Sequence, residues 1–317
     1  MIEDPTIFND IAEALNAENR YNIQAAFVEK DYYAVQLLNL INSLTLDNCS
    51  LIFAGGTCLA KAYQNTFRMS EDIDIKFTGA NSALKRSDRK ALRKLVEEGI
   101  EKSDIFELSE VPDSQKNPII ASTYRTQTYS IAYPKSFEHP ALRESLKLEL
   151  VESIVYEPVC QFPVCSIYAK KMDEYPEINS TECANIESII VEKLIALLWR
   201  TSAIFQGKDV EDDEALVRHL YDIHLVINNK RSDINTDLLS KFFIESRKYQ
   251  ADQYKSKYLE FFETPEKILE HGFKEIQSNS IHKERYEQML LPLIYSSDLP
   301  SWNVVLDTFK KLYKELR

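Results

Sequence analysis

Residues 51–77 read LIFAGGTCLAKAYQNTFRMSEDIDIKF, and this stretch decides the fold. Leu51-Ile52-Phe53-Ala54 is an apolar run of strand length. Gly55, Gly56 and Thr57 follow; adjacent glycines allow a sharp turn and leave main-chain N–H groups uncovered. Leu59, Ala62 and Tyr63 then recur at helical spacing. A helix start beside a glycine turn directs N–H donors and the helix dipole at one spot, which suits a phosphate. Ser70-Glu71-Asp72-Ile73-Asp74-Ile75-Lys76-Phe77 alternates acidic and apolar residues with the period of a strand. Ile73, Ile75 and Phe77 face a core, and Ser70, Asp72 and Asp74 share the other face. The two carboxylates then lie about 7 Å apart along the strand. Like charges on one face repel unless a cation joins them. A divalent ion of the Mg²⁺ type does so and bridges carboxylates to phosphate oxygens. A phosphate cradle beside such a pair implies chemistry on a nucleoside triphosphate.

GGTCLAKAY followed by RMSEDIDI resembles the AbiEii/AbiGii toxin nucleotidyltransferases, a branch of the nucleotidyltransferase-fold superfamily. The long gap between Gly56 and Asp72 fits that branch better than the antibiotic-modifying or poly(A)-type branches. The resemblance implies an α+β chain: an N-terminal nucleotidyltransferase-fold mixed β-sheet flanked by helices, then a C-terminal helical bundle. It also implies the toxin half of a bacterial toxin–antitoxin pair, with a cognate antitoxin, and an RNA acceptor such as a tRNA 3′ end.

Composition sets bounds. At 317 residues the chain is comfortable for two domains. A hydrophobic content of 44% supports packed cores. A net charge of −12 argues against a general nucleic-acid binder and leaves room for a local basic patch. Five cysteines without a CxxC pair read as reduced thiols of a cytoplasmic protein. MIEDPTIFND lacks a basic-then-apolar leader pattern, and no apolar run reaches membrane-spanning length, so no membrane partner is expected.

Asp4-Pro5 predicts a helix start running to about residue 17, and a second helix is expected over 22–43. Within it, Glu29-Lys30-Asp31 resembles the family's EKDYY-type segment; a mixed-charge solvated face is the simpler reading for Glu29, while for Lys30 that face and a place near the catalytic domain, which the resemblance implies, stand as even alternatives. Residues 81–102 predict a helix in which Lys85, Arg86, Arg89, Lys90, Arg93 and Lys94 form one basic stripe at four-residue steps. That stripe is either a solvated face balanced by Glu97, Glu98 and Glu101 or a track for RNA phosphates. Strands are expected over 105–111, 119–133 and 145–152. In the last, Leu146, Leu148 and Leu150 oppose Lys147 and Glu149. Glu149 matches the third carboxylate of nucleotidyltransferases; the alternative is an outward acid paired with Lys147. The proline-bearing stretch 155–180 reads as loop and crossover, which divides the chain into 1–178 and a helical domain 179–317. The expected helices there are 184–201, 210–228, 237–249, 253–262, 265–277, 283–291 and 301–316.

Two segments of the helical half resemble family motifs. Glu192-Lys193-Leu194-Ile195-Ala196 matches a Lys-x-x-Ala segment, which assigns Lys193 to the nucleotide; by itself it reads as a lysine snorkelling at a core margin. Arg218-His219-Leu220-Tyr221-Asp222 matches the last motif. There Asp222 either orients the attacking hydroxyl or holds Lys193, against the plain alternative of a helix-surface pair with Arg218.

The expected activity is transfer of a nucleoside monophosphate to RNA. Asp72 and Asp74 hold Mg²⁺; Gly55, Gly56, Thr57, Ser70 and Lys193 bind the triphosphate; Glu149 or Asp222 helps activate the hydroxyl. Lys61 is a weaker candidate helper, and Cys58, where relatives carry another small residue, reads as packing. A small-molecule or protein nucleotidyltransferase, or a nucleotide-binding module without transfer, is the alternative.

Overall fold

The computed structural model describes residues 2, 4–63, 66–80, 82–110, 116–121, 123–230 and 233–317. It forms two compact units, Met1–Ala184 with Tyr295–Asp298, and Asn185–Ile294 with Leu299–Arg317.

The first unit runs α1 (Thr6–Asn16), α2 (Ala25–Asn42), β1 (Ser50–Ala54), α3 (Gly55–Cys58) and a π turn (Leu59–Tyr63). Next come β2 (Asp72–Thr78), α4 (Arg86–Glu101), β3 (Glu107–Leu108), β4 (Ile119–Ile120) and β5 (Thr126–Ala132). It ends with β6 (Leu146–Glu152), β7 (Cys160–Val164), α5 (Ile167–Lys171) and β8 (Ile178–Cys183). The strands make one mixed sheet in the order β3-β5-β6-β2-β1-β8-β7, with β4 added beside β5. β2 lies at its centre, antiparallel to β1 and parallel to β6. The alternation explains why: Ile73, Ile75 and Phe77 of β2 and Leu146, Leu148 and Leu150 of β6 are all buried, so both strands press one apolar face into the same core.

Four expectations change. The run 119–133 is a hairpin and not one strand: Ile119 pairs with Thr128, and the turn is closed by Ala121 N–H to the Thr126 carbonyl. Tyr124 supplies the left-handed backbone (φ 59°) that glycine usually provides, so the lack of glycine misled. Residue 122 lies outside the described residues, as do residue 81 at the expected helix start and residue 111 at the expected strand end. The stretch 155–180 holds β7, α5 and the start of β8, because its prolines sit at an edge strand and in loops. Since β8 pairs with β1, the first unit extends to Ala184. Finally, α2 is buried nearly all round, including Glu29, Lys30 and Asp31, so no solvated face exists there.

The second unit is helical: α6 (Ile186–Phe205), a 3₁₀ turn (Glu214–Val217), α7 (Arg218–Lys230), α8 (Thr236–Gln253), α9 (Leu259–Glu263) and α10 (Pro265–Ser278). α11 (Ile281–Arg285), a π turn (Tyr286–Leu290) and α12 (Trp302–Leu316) complete it. α6 is the central element, contacting α7, α8 and α10. Its start is capped by Asn185, whose side-chain oxygen accepts the Ser188 N–H at 2.8 Å. Among the described residues no helix is long and apolar enough to cross a membrane.

Candidate active site

The signature stretch folds as a strand, a tight turn and a helix, and then returns as the neighbouring strand. At the turn, Ala54 of β1 pairs in register with Asp74 of β2. Gly55 takes φ +72°, and a Cβ built on it would lie 1.8 Å from Asp74 Oδ2. The absent side chain of Gly55 is therefore the space that holds the Asp74 carboxylate. Gly56, the second residue of α3, is buried.

Thr57 ties the turn to the start of β2. Its hydroxyl donates to the Asp72 main-chain carbonyl and shares a second hydrogen bond, 2.8 Å long, with the Ser70 hydroxyl. The hydroxyl is thus spent on the fold, and what Thr57 retains for a ligand is its main-chain N–H.

Asp72 and Asp74 are both half-buried, alternating with Ile73 and Ile75 in the core. On β6, Glu149 is the register partner of Asp74, and Lys147 is that of Asp72. Paired residues of adjacent strands point to the same face, so Glu149 joins the aspartates. Glu149 also pairs with Lys147 at 2.8 Å, on a strand that lies between β5 and β2 and not at a sheet edge. Among the described residues no three or more His, Cys, Asp or Glu are grouped so that together they could hold a metal ion. Mg²⁺ needs no such group, since it takes one or two carboxylates and completes its shell with water and substrate phosphate. The oxygen-only donors and the carboxylate seated in the Gly55 space fit that ion.

A cavity beside the signature is lined by Thr57, Ser70, Lys61, Arg68, Lys170 and Asp31. Three cations against one carboxylate make it electropositive. Lys61 pairs with Asp31, which also accepts the Ile167 N–H at 2.6 Å. Lys61 thus gains a structural partner in addition to its place at the cavity.

Sequence reasoning missed Arg143, whose guanidinium pairs with Asp72. It also missed the role of Glu71. The strand period turns that carboxylate inward with Ile73, where it meets the buried ammonium of Lys30 at 2.5 Å. Burial pushes the Lys30 ammonium below its ordinary pKa, and Glu71 works against that push. Glu29 accepts the N–H groups of Ser136 (2.8 Å) and Phe137 (3.0 Å). Burial raises its carboxyl pKa, and these N–H groups pull it back.

Lys193 and Asp222 belong to the second unit and pair at 2.9 Å. Asp222 is 0% exposed, so its carboxylate is buried and does not lie on a helix surface. The basic stripe is not continuous either. Arg89 is buried and grips Glu152 at 2.5 and 3.0 Å, facing the sheet. Arg93 and Lys94 pair with Glu97 and Glu98 one turn on. Arg86 sits over the Tyr124 ring, and Lys85 and Lys90 are exposed. Cys58 is fully buried, as expected for a packing residue.

The family model described as nucleotidyl transferase AbiEii toxin, type IV TA system, matches residues 36–308. Comparison with curated proteins returns no match. Among solved structures, the chain resembles MenT4, a nucleotidyltransferase toxin from Mycobacterium tuberculosis H37Rv, with a TM-score of 0.56 and 14% identity. That likeness covers 92% of this chain and 84% of the other. At such low identity it speaks for the fold alone.

Proposed function

Because the chain belongs to the AbiEii nucleotidyltransferase toxin family of type IV toxin–antitoxin systems, we propose that it transfers a nucleoside monophosphate from a nucleoside triphosphate to an RNA hydroxyl, at a tRNA 3′ end. The observation that carries this reading is the three-carboxylate face: Asp72 and Asp74 on β2, with Glu149 in register and Gly55 making room for Asp74.

Asp72 and Asp74 would hold Mg²⁺, which when bound supplies positive charge to the triphosphate oxygens and favours ionisation of the attacking hydroxyl. The first N–H groups after the turn, at Gly55, Gly56 and Thr57, receive phosphate oxygens, and Ser70 offers its hydroxyl beside them. The cationic cavity next to Ser70 takes the far end of the triphosphate. The RNA hydroxyl attacks the α-phosphorus in line. As that bond forms, the bond to the bridging oxygen breaks and pyrophosphate leaves. Glu149 accepts the hydroxyl proton. The family motif assigns Lys193 to the nucleotide as a cation, and Asp222 holds its ammonium through their buried pair. Positioning and charge stabilisation supply most of the rate in chemistry of this kind. Such a reaction belongs in the cytoplasm, with a cognate antitoxin as the restraining partner.

The test is incubation of the purified chain with each α-labelled triphosphate, Mg²⁺ and total RNA, resolved on a denaturing gel. Parallel reactions carry aminoglycosides or protein acceptors in place of RNA. Label on a tRNA-sized band that is lost in Asp72→Ala supports the proposal. Label only on an aminoglycoside or a protein rejects the RNA acceptor. No label anywhere, with wild type and Asp72→Ala alike, rejects the transferase mechanism.

A further inference from the structure

Lys30 is 0% exposed in the middle of α2, and its ammonium donates to Glu71 Oε2 at 2.5 Å and to the main-chain carbonyl of Arg143. The same Glu71 oxygen accepts the Arg143 N–H at 2.8 Å. One buried ion pair thus holds both polar groups of the Arg143 main chain. A buried ion pair is seldom more stable than an apolar pair of the same size, so its presence asks what it fixes. What it fixes is the residue whose guanidinium pairs with Asp72.

The Arg143 side chain is 47% exposed, although its main chain is anchored. A long, half-exposed arm on a fixed base can change partners without moving the backbone. A divalent cation at Asp72 draws on the same carboxylate and competes with the guanidinium for it. The planar fork of an arginine matches phosphate oxygens as well as it matches a carboxylate. A nucleoside triphosphate bound at the same carboxylates places such oxygens beside it.

We propose that Arg143 is a nucleotide-phosphate ligand of this site, passed from Asp72 to the triphosphate, and that Lys30 and Glu71 are positioning residues that hold its main chain at the rim. This rests on the transferase reading of Asp72 and Asp74. It adds a substrate contact that the signature motifs do not contain.

Binding without turnover tests it. The full chain is titrated calorimetrically with the α,β-methylene analogues of ATP, GTP, CTP and UTP in Mg²⁺, and with the four nucleosides. Arg143→Ala weakens the preferred triphosphate analogue ~10- to 100-fold, as for loss of a charge-assisted contact, and leaves nucleoside binding unchanged. Arg143→Lys retains the charge without the fork and falls between. The double replacement K30M/E71M removes the ion pair and keeps the packing. It weakens the analogue as Arg143→Ala does, and adding Arg143→Ala to it costs little more.

An Arg143→Ala protein that binds the analogue like wild type overturns the proposal, as does equal weakening toward nucleoside. Full additivity of the K30M/E71M and Arg143→Ala effects overturns the positioning role. If K30M/E71M does not fold, the exposed Arg143→Ala and Arg143→Lys variants still decide the ligand role. A wild-type chain that binds none of the four analogues fails at the transferase reading itself, and this inference falls with it.

Discussion

Gly55 and Asp74 occupy one volume: a Cβ on Gly55 would lie 1.8 Å from Asp74 Oδ2 and 2.6 Å from its Cγ. The turn and the carboxylate are therefore a single design, and Gly55→Ala is expected to damage both. The φ of +72° adds backbone strain of about 1–3 kcal/mol for an L side chain. Asp74 must also leave its seat, so transfer activity should fall to the level of Asp74→Ala while the chain stays folded. Thermal unfolding by circular dichroism and the labelled-nucleotide assay check this. A Gly55→Ala protein of near wild-type activity would show that the carboxylate does not depend on that space.

The Lys193–Asp222 pair separates stability from chemistry. Both residues are buried, and the pair is 2.9 Å long. Lys193→Met leaves a buried carboxylate without this cation, at a cost of about 3–5 kcal/mol. The double variant K193M/D222L removes both charges and should regain most of that stability. If Lys193 serves the nucleotide, activity stays lost in both variants. Recovery of activity in the double variant would reduce the pair to packing. Denaturant titration beside the transfer assay gives both readouts.

The parts of this molecule that were legible share one property: they repeat. β2 and β6 announce themselves by alternation, so Ile73, Ile75, Leu148 and Leu150 were readable as core, and Asp72, Asp74 and Glu149 as one polar face. The misreadings come from single residues acting against local pattern. Tyr124 turns a chain that contains no glycine there. Lys30 is a charge pointing inward from a helix, and it makes sense only beside Glu71, 41 residues away, which the strand period turns toward the same interior. Arg143 lies in a loop without periodicity and acquires meaning only through Asp72. Arg89 follows the basic stripe in sequence, but Glu152 draws it into the fold.

That last distinction yields a prediction about RNA. If α4 follows RNA phosphates, its exposed cations do the work and Arg89 does not. The triple variant K85A/R86A/K90A should lower RNA affinity and reduce the slope of log affinity against log salt by about 2. Arg89→Ala should leave that slope unchanged and instead destabilise the chain by about 2–3 kcal/mol, because Glu152 loses its two-pronged partner. Filter binding to tRNA across a salt series, with thermal unfolding alongside, checks both halves. An unchanged slope in the triple variant removes α4 from the RNA interface.

The second unit carries a built-in acid sensitivity at His282. This residue is 4% exposed, and its Nε2 has no hydrogen-bond partner among the described residues. Burial, helped by the positive charge of Arg285, lowers its pKa from 6.5 to about 4, with Asp212 acting in the other direction. A histidine whose folded pKa lies below the unfolded value binds fewer protons when folded. Acid therefore favours the unfolded chain: the neutral ring costs nothing above pH 6.5, and stability is lost as pH falls from there toward 4. A displacement of this size corresponds to about 3 kcal/mol. His282→Leu removes the titrating group, so the stability difference between wild type and variant should shift by about that amount, in the variant's favour, between pH 7 and pH 4. The chain has two tryptophans, Trp199 and Trp302, and both lie in the second unit with His282. Their emission during urea unfolding reports on that unit directly. Parallel pH profiles for the two proteins would show that the buried ring does not govern its acid response.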